Sequence, residues 1–215
     1  MAIQILLADD HVLFRHGLRR ILNEQPHFEI VAETGSGIEA VELARRLKPD
    51  VALVDIAMKE LNGVEATRQI LRHSPKTAVM ILSMHCDERY VVRSVNAGAR
   101  GYVLKDSVEE GLIRAIHSLH KGQAYFSPAV ASILQERFVT GAATRDVDDR
   151  YELLSERERQ IYHLLAEGNS SKEVAVRLGI SVHTAETHRT HIMEKMGLHG
   201  IAELVLSAVR RGLVH

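Results

Sequence analysis

A single cysteine in 215 residues, Cys86, excludes an internal disulfide and fits a reducing compartment. Long apolar runs are missing too, since nothing approaches the roughly 18–20 residues that cross a bilayer. The opening Met1-Ala2-Ile3-Gln4-Ile5-Leu6-Leu7-Ala8 has no basic start and runs straight into Asp9 and Asp10, so no export signal is expected. Neither charge is in excess. Lys and Arg number 27 and Asp and Glu 28, giving −1 with histidine neutral. Without overall basicity, any nucleic-acid binding must come from local geometry. The expectation is a soluble, cytoplasmic protein with no membrane partner. What the chain does have is an ordinary globular balance, 46% hydrophobic and 26% charged, on a length that allows one large domain or two small ones.

Apolar runs at 3–8, 28–33, 51–55, 78–83 and 101–104 read as five strands. Amphipathic helical patterns follow them near 12–24, 37–47, 63–73, 87–97 and 107–121. Strand–helix–strand repeats need crossover connections, which predicts an α/β, doubly wound, five-stranded parallel sheet covered on both faces. The continuously apolar Val51-Ala52-Leu53-Val54 suits a strand buried on both sides. Residues 124–138 suggest a turn and one more helix with Pro128 in its first turn, and the small, polar stretch 140–150 reads as linker. From 151 onward the signals are helical only. Ser155 with Glu158 and Ser170 with Glu173 spell capping boxes, and Gly168 and Gly179 close those two helices. Ser181 can cap a third helix to about 196, and 200–211 makes a fourth. The expected division is an α/β domain at 1–124, a helix and flexible linker at 125–150, and a small all-α four-helix domain at 151–215. That last part carries 8 basic and 8 acidic residues, so it is neutral.

In an open parallel sheet, ligands bind at the carboxyl ends of the strands. Asp9 and Asp10 end the first strand, Asp55 the third, Ser83 the fourth and Lys105 the fifth. Carboxylates a few ångströms apart repel, so such a group is stable mainly with a cation among them. Hard oxygen ligands with room for water suit Mg²⁺, which then helps hold a phosphoryl group. One Asp can act as nucleophile while metal, Lys and Ser neutralise charge on the phosphoryl oxygens. A lone Asp at a strand end is most simply a cap, but five residues of the right type at four strand ends are not. Two other chemistries fit less well. Gly35-Ser36-Gly37-Ile38-Glu39-Ala40 matches G-x-G-x-x-A, yet it follows the second strand with Glu33 close by, so a tight strand-to-helix turn is the better reading. A haloacid-dehalogenase-type phosphatase needs a second acid two residues beyond its nucleophile, where Ala57 stands. Cys86 reads as a small apolar filler.

The segments Leu6-Leu7-Ala8-Asp9-Asp10-His11, Asp50-Val51-Ala52-Leu53-Val54-Asp55, Ile81-Leu82-Ser83-Met84-His85 and Ala97-Gly98-Ala99-Arg100-Gly101-Tyr102-Val103-Leu104-Lys105 together resemble the receiver domain of bacterial two-component response regulators. The likeness spans about residues 3–121 and implies the flavodoxin/CheY-like fold. It implies that Asp55 accepts phosphate from a sensor histidine kinase, and that Asp9, Asp10, Asp55 and the backbone carbonyl of Ala57 hold Mg²⁺. Lys105 would pair with the phosphoryl group and Ser83 would swing to bond it. Tyr102 would change packing with that hydroxyl and pass the event to the face around the fourth helix and fifth strand. Such a protein is a phosphoacceptor that assists its own Mg²⁺-dependent phosphorylation and dephosphorylation, not an enzyme with a separate substrate. Two departures stand out. Met58-Lys59-Glu60 replaces the usual Met-Pro-Gly, so the loop lacks a stiff proline, and Asp106 follows Lys105 where proline is common.

Ser170–Gly179, a short turn and Ser181–Met196 have the form of a helix-turn-helix, whose second helix enters the major groove. On that helix Ala185, Ile192 and Met196 make an inward stripe, with His183, Glu186, Thr187, Thr190 and Glu194 opposite. The pattern alone leaves DNA binding and a merely solvated face about equal, because the unit is not basic. The segments Leu154-Ser155-Glu156-Arg157-Glu158, Leu165-Ala166-Glu167-Gly168-Asn169-Ser170-Ser171-Lys172-Glu173-Val174-Ala175, Leu178-Gly179-Ile180-Ser181-Val182-His183-Thr184 and His188-Arg189-Thr190-His191-Ile192-Met193-Glu194-Lys195-Met196 resemble the LuxR-type DNA-binding domain over about 151–213. Joined to a receiver, that is identified as the NarL/FixJ subfamily of response regulators. The resemblance implies phosphorylation-controlled, sequence-specific transcription regulation on double-stranded promoter DNA, a homodimer on phosphorylation, and RNA polymerase as a further candidate partner. Lys172, Arg189 and Lys195 are the expected phosphate contacts, with Thr187, Thr190 and His191 nearer the bases. Many members read Thr-Val-Lys where this chain has Thr184-Ala185-Glu186. Glu186 cannot neutralise phosphate but can accept from a cytosine amino group. The fourth helix, with Ile201, Leu204, Val205, Ala208 and Val209, is similar to the family's dimerisation helix, though its apolar stripe is equally consistent with plain core. The competing class is a receiver that acts through protein–protein contacts without DNA binding.

Overall fold

Strands form where the sequence is apolar on both sides of the chain, and in the computed structural model they assemble into one sheet. The structure describes residues 2–84, 86–139, 150–151, 153–210 and 213. It divides into two compact units, 1–143 and 144–215. In the first, β1 (Ile3–Ala8), β2 (Phe28–Thr34), β3 (Val51–Asp55), β4 (Ala78–Ser83), β5 (Gly101–Leu104) and β6 (Tyr125–Phe126) lie in the order β2-β1-β3-β4-β5-β6. Every neighbouring pair is parallel. The crossovers are α1 (Val12–Asn23), α2 (Gly37–Leu47), α3 (Gly63–His73), α4 (Glu88–Asn96) and α5 (Val108–His120), and α6 (Pro128–Val139) follows β6.

Side chains alternate across each strand, so one apolar sequence fills two layers. Leu6, Ala52, Val54, Val79 and Ile81 pack with residues of α2, α3 and α4, whereas Ile5, Leu7, Leu53, Met80 and Leu82 pack with α1 and α5. The chain leaves β1 for β2 on one side and resumes at β3 on the other. That reversal opens a crevice at the carboxyl ends of β1 and β3, the usual ligand position in such sheets.

The sheet has six strands, not the five expected. Tyr125 and Phe126 pair with Gly101 and Tyr102 where a turn was anticipated, and the Ser127 N–H donates to the Tyr102 carbonyl at 3.0 Å. Two residues are too few for an alternating pattern to show in the sequence. α6 then leans on α4, with Val130 buried and Ile133 and Leu134 against the layer that holds Tyr102. The face around α4 and β5 therefore carries the chain's own β6 and α6. Residues 140–149 of the expected linker lie outside the described residues.

The second unit contains α7 (Glu156–Ala166), α8 (Ser171–Leu178), α9 (Val182–Met196) and α10 (Ile201–Arg210). Both capping boxes close: Ser155 N–H donates to Glu158 Oε2 at 2.7 Å, and Ser170 N–H to Glu173 Oε2 at 2.7 Å. Gly179 and Gly197 end α8 and α9 at φ of 61° and 64°, the left-handed region that glycine reaches without a Cβ clash. Tyr162, Ile161, Val174, Ala185, Ile192, Met196 and Leu204 form the core.

Candidate functional site

Asp9 directly follows β1 and its N–H donates to the Thr34 carbonyl at 3.0 Å, which holds it at the crevice. Asp55 ends β3, and both carboxylates are buried. Lys105 enters from a one-turn 3₁₀ segment at Lys105–Ser107 after β5. Its ammonium lies 2.8 Å from Asp9 Oδ2, 3.0 Å from Asp55 Oδ1 and 4.7 Å above the Phe14 ring. Asp10 is half-buried beside them. The expected acids and the lysine thus converge, and the ammonium contacts two of the three carboxylates. Burial pushes the Asp55 carboxyl above the ordinary carboxylate value and the Asp9 charge adds to this, with Lys105 and the Ala57 amide opposing. Asp10 Oδ1 and Asp55 Oδ2 are buried atoms that accept no hydrogen bond among the described residues. An oxygen-rich pocket with spare anionic acceptors fits a hard divalent cation.

The loop after β3 is held without its usual proline. Ile56 N–H continues the ladder to the Leu82 carbonyl at 3.0 Å, Gly63 N–H returns to the Ile56 carbonyl at 3.0 Å, and Met58 and Leu61 are buried in the core. Ala57, expected to offer its carbonyl, lies in this loop with its amide bonded to Asp55. Glu60, where the family usually has glycine, adopts φ of 64°. A Cβ on Gly63 would meet the Asp55 carbonyl oxygen at 2.2 Å, so this glycine lets α3 begin directly against the Asp55 backbone. Gly37 has a similar task, since a Cβ there would meet the Leu61 carbonyl oxygen at 2.0 Å. The Thr34 hydroxyl bonds the Glu39 carboxylate and Ser36 caps α2, so its N-terminus is filled by the chain's own groups. The glycine pattern at 35–40 is thereby explained without a dinucleotide.

Ser83 is buried at the end of β4, and its side chain hydrogen-bonds the Tyr102 hydroxyl. Tyr102 is fully enclosed, and burial raises its phenol to about 12. Cys86 is half-buried against the same apolar layer, and burial pushes its thiol up, as suits a filler.

In the second unit the inward stripe of α9 is as expected, with Ala185, Ile192 and Met196 buried. Glu186, Thr187, Thr190 and His191 are exposed on α9 and Lys172 on α8, while Thr184 and Arg189 are half-exposed. Thr187 and Thr190 donate their hydroxyls to the His183 and Glu186 carbonyls at 2.9 and 3.1 Å, leaving lone pairs outward. Lys195 has a partner within its own unit. Its ammonium lies 2.8 and 2.7 Å from the two oxygens of Glu158, which ties the last turn of α9 to the cap of α7. Burial raises the Glu158 carboxyl, but the bonds from Lys195 and Ser155 outweigh it and hold the group below the ordinary glutamate value. On α10, Leu204 and Ala208 face the core, while Ile201, Leu206 and Val209 are exposed.

Two neighbours of the expected residues, His11 and Glu158, were not singled out from the sequence. His11 Nδ1 lies 3.0 Å from Asp10 Oδ1, 3.4 Å from Asp9 Oδ1 and 3.6 Å from Asp55 Oδ2. Its position straight after the acid pair was the available signal. Glu158 had already been assigned to a capping box, which hid its second partner.

Comparison with known proteins matches residues 5–117 to the response regulator receiver domain and residues 152–208 to the luxR family of bacterial regulatory proteins. The oxygen regulatory protein NreC of Staphylococcus aureus is 39% identical over 214 residues, covering 98% of this chain and 99% of that one. A LuxR-family two-component response regulator from an Aurantimonas species aligns at TM-score 0.61 and 33% identity, over 65% of this chain and 99% of its own. The response regulator ChrA of a heme-sensing two-component system aligns at TM-score 0.53 and 32% identity over 99% of both chains. No helix among the described residues is long and apolar enough to cross a membrane. The chain belongs to the NarL/FixJ-type two-component response regulators, transcription regulators that join a receiver to a LuxR-type DNA-binding domain.

Proposed function

We propose that this is a cytoplasmic protein in which Asp55 is the phosphoacceptor, and that phosphorylation of Asp55 by a sensor histidine kinase controls dimerisation and promoter binding. The observation that carries this reading is the buried Asp55 carboxylate at the sheet's reversal point, touched by Lys105 and crowded by Asp9. One Asp55 oxygen forms a bond to phosphorus as the P–N bond to the kinase histidine breaks, and the imidazole keeps the electron pair and takes a proton. Asp9, Asp10, Asp55 and the Ala57 carbonyl would hold Mg²⁺, which neutralises phosphoryl oxygens when bound. The Lys105 ammonium, already beside Asp55, meets the remaining charge without a large movement. Ser83 leaves Tyr102 to bond the phosphoryl group, and Tyr102 responds beneath α6.

In the second unit, Thr184, Glu186, Thr187, Thr190 and His191 face the bases, and Lys172 and Arg189 face phosphates, with Lys195 serving first as the partner of Glu158. So neutral a module makes few phosphate contacts, and pairing two of them on adjacent half-sites raises affinity through effective concentration. The exposed Ile201, Leu206 and Val209 of α10 suit that pairing, and RNA polymerase is the partner that would read the bound dimer.

The test is incubation of the full chain with acetyl phosphate and Mg²⁺, followed by intact mass, oligomeric state and selection of bound genomic DNA. One added phosphoryl group, lost in Asp55→Asn together with the gain in dimer and DNA binding, is expected. An unmodified mass, or a variant that responds like the parent chain, overturns the reading.

A further inference from the structure

His11 occupies a position that usually serves another purpose. It is the N-cap residue of α1, where Ser, Thr, Asp or Asn would bond the helix amides, yet its side chain makes no capping bond. Its backbone N–H donates to Asp9 Oδ1 at 2.8 Å, which fixes the residue at the rim of the acidic pocket. The imidazole turns toward the carboxylates, and its Nδ1 lies 3.0, 3.4 and 3.6 Å from oxygens of Asp10, Asp9 and Asp55. One ligand atom from each of these four residues falls within 4.8 Å of the others. Donors bound to one octahedral ion at about 2.1 Å stand about 3.0 Å apart when adjacent and about 4.2 Å apart when opposite. The four atoms therefore need to draw together by at most about 0.6 Å to surround a single small divalent ion. Asp55 is 1% exposed, and its Oδ2 accepts no hydrogen bond among the described residues, so a buried anionic atom aims into the same space.

An imidazole nitrogen changes which ion such a pocket favours. Mg²⁺ takes oxygen ligands and keeps its waters, so a nitrogen donor adds little for it. Mn²⁺, Co²⁺, Ni²⁺ and Zn²⁺ gain from nitrogen, in rising order along the first row as far as copper. We propose that His11 is a nitrogen ligand of this centre and biases it toward divalent transition ions over Mg²⁺. The proposal rests on the reading of Asp9, Asp10 and Asp55 as a cation site.

The experiment uses the unmodified full chain loaded with one equivalent of Mn²⁺. Electron spin-echo modulation is expected to show a directly bound imidazole ¹⁴N, lost in His11→Asn. In parallel, calorimetric titration with Mn²⁺, Co²⁺ and Mg²⁺ is expected to show the Co²⁺-to-Mg²⁺ affinity ratio falling about tenfold or more in His11→Asn. Absence of nitrogen coupling in the parent chain, its persistence in the variant, or an unchanged ratio overturns the assignment. The parent spectrum needs no variant, so a poorly folding His11→Asn does not blunt the test. Failure of the parent chain to bind Mg²⁺ or Mn²⁺ at all would instead sink the underlying cation site.

Discussion

Replacing Lys105 by methionine removes an ammonium that touches both Asp9 and Asp55, and keeps most of the buried stem. Lys105 is 8% exposed, with contacts of 2.8 and 3.0 Å, so the two carboxylates would remain buried and lose their counter-charge. Breaking a buried pair on one side costs about 3–5 kcal/mol. The crevice is open where the His11 side chain is 62% exposed, which places the loss near the lower end, about 3 kcal/mol. For a unit of residues 1–143 that lowers Tm by about 6–12 °C. Mg²⁺ at ten times its dissociation constant stabilises the parent chain by about 1.4 kcal/mol. It should stabilise Lys105→Met by more, because the ion then meets carboxylates with no competing ammonium. Calorimetric unfolding of the full chain in chelator and in Mg²⁺ measures both quantities. A loss under about 1 kcal/mol in chelator, or a smaller Mg²⁺ effect in the variant than in the parent, would refute the electrostatic account of the pocket.

Glu60→Gly relieves a left-handed residue at φ of 64° and should raise stability by about 0.5–1 kcal/mol in urea titrations; no gain would mean that the Glu60 side chain offsets its backbone cost. Gly63→Ala forces a Cβ to within 2.2 Å of the Asp55 carbonyl oxygen, so it should cost about 2 kcal/mol and slow acetyl-phosphate labelling, both absent if the loop simply yields. The Glu158 carboxyl sits below its ordinary value, so its stabilisation is present above that value and is lost as pH falls through the lowered one. Glu158→Gln should therefore unfold the second unit earlier at neutral pH and show a flatter acid limb, and parallel melting curves for the two proteins below about pH 5 would contradict this.

Much of the fold and of the acidic pocket is legible in the sequence. Five strands, the acids at their ends and the capping boxes are local patterns, and a parallel sheet forces Asp9, Asp55, Ser83 and Lys105 to one edge whatever the loops do. The unread parts depend on long-range partners. β6 is two residues long and acquires strand character only from Gly101 and Tyr102. The pairing of Lys195 with Glu158 was hidden because the two lie 37 residues apart. His11 carries no periodic signal at all, since its importance comes from where the turn aims one ring nitrogen.

The Ser127 amide bonds the Tyr102 carbonyl across the edge of the sheet. The tyrosine that hydrogen-bonds Ser83 also holds, through its main-chain carbonyl, the residue immediately before α6. A shift of the Tyr102 backbone would therefore be felt at the first turn of α6, one hydrogen bond away.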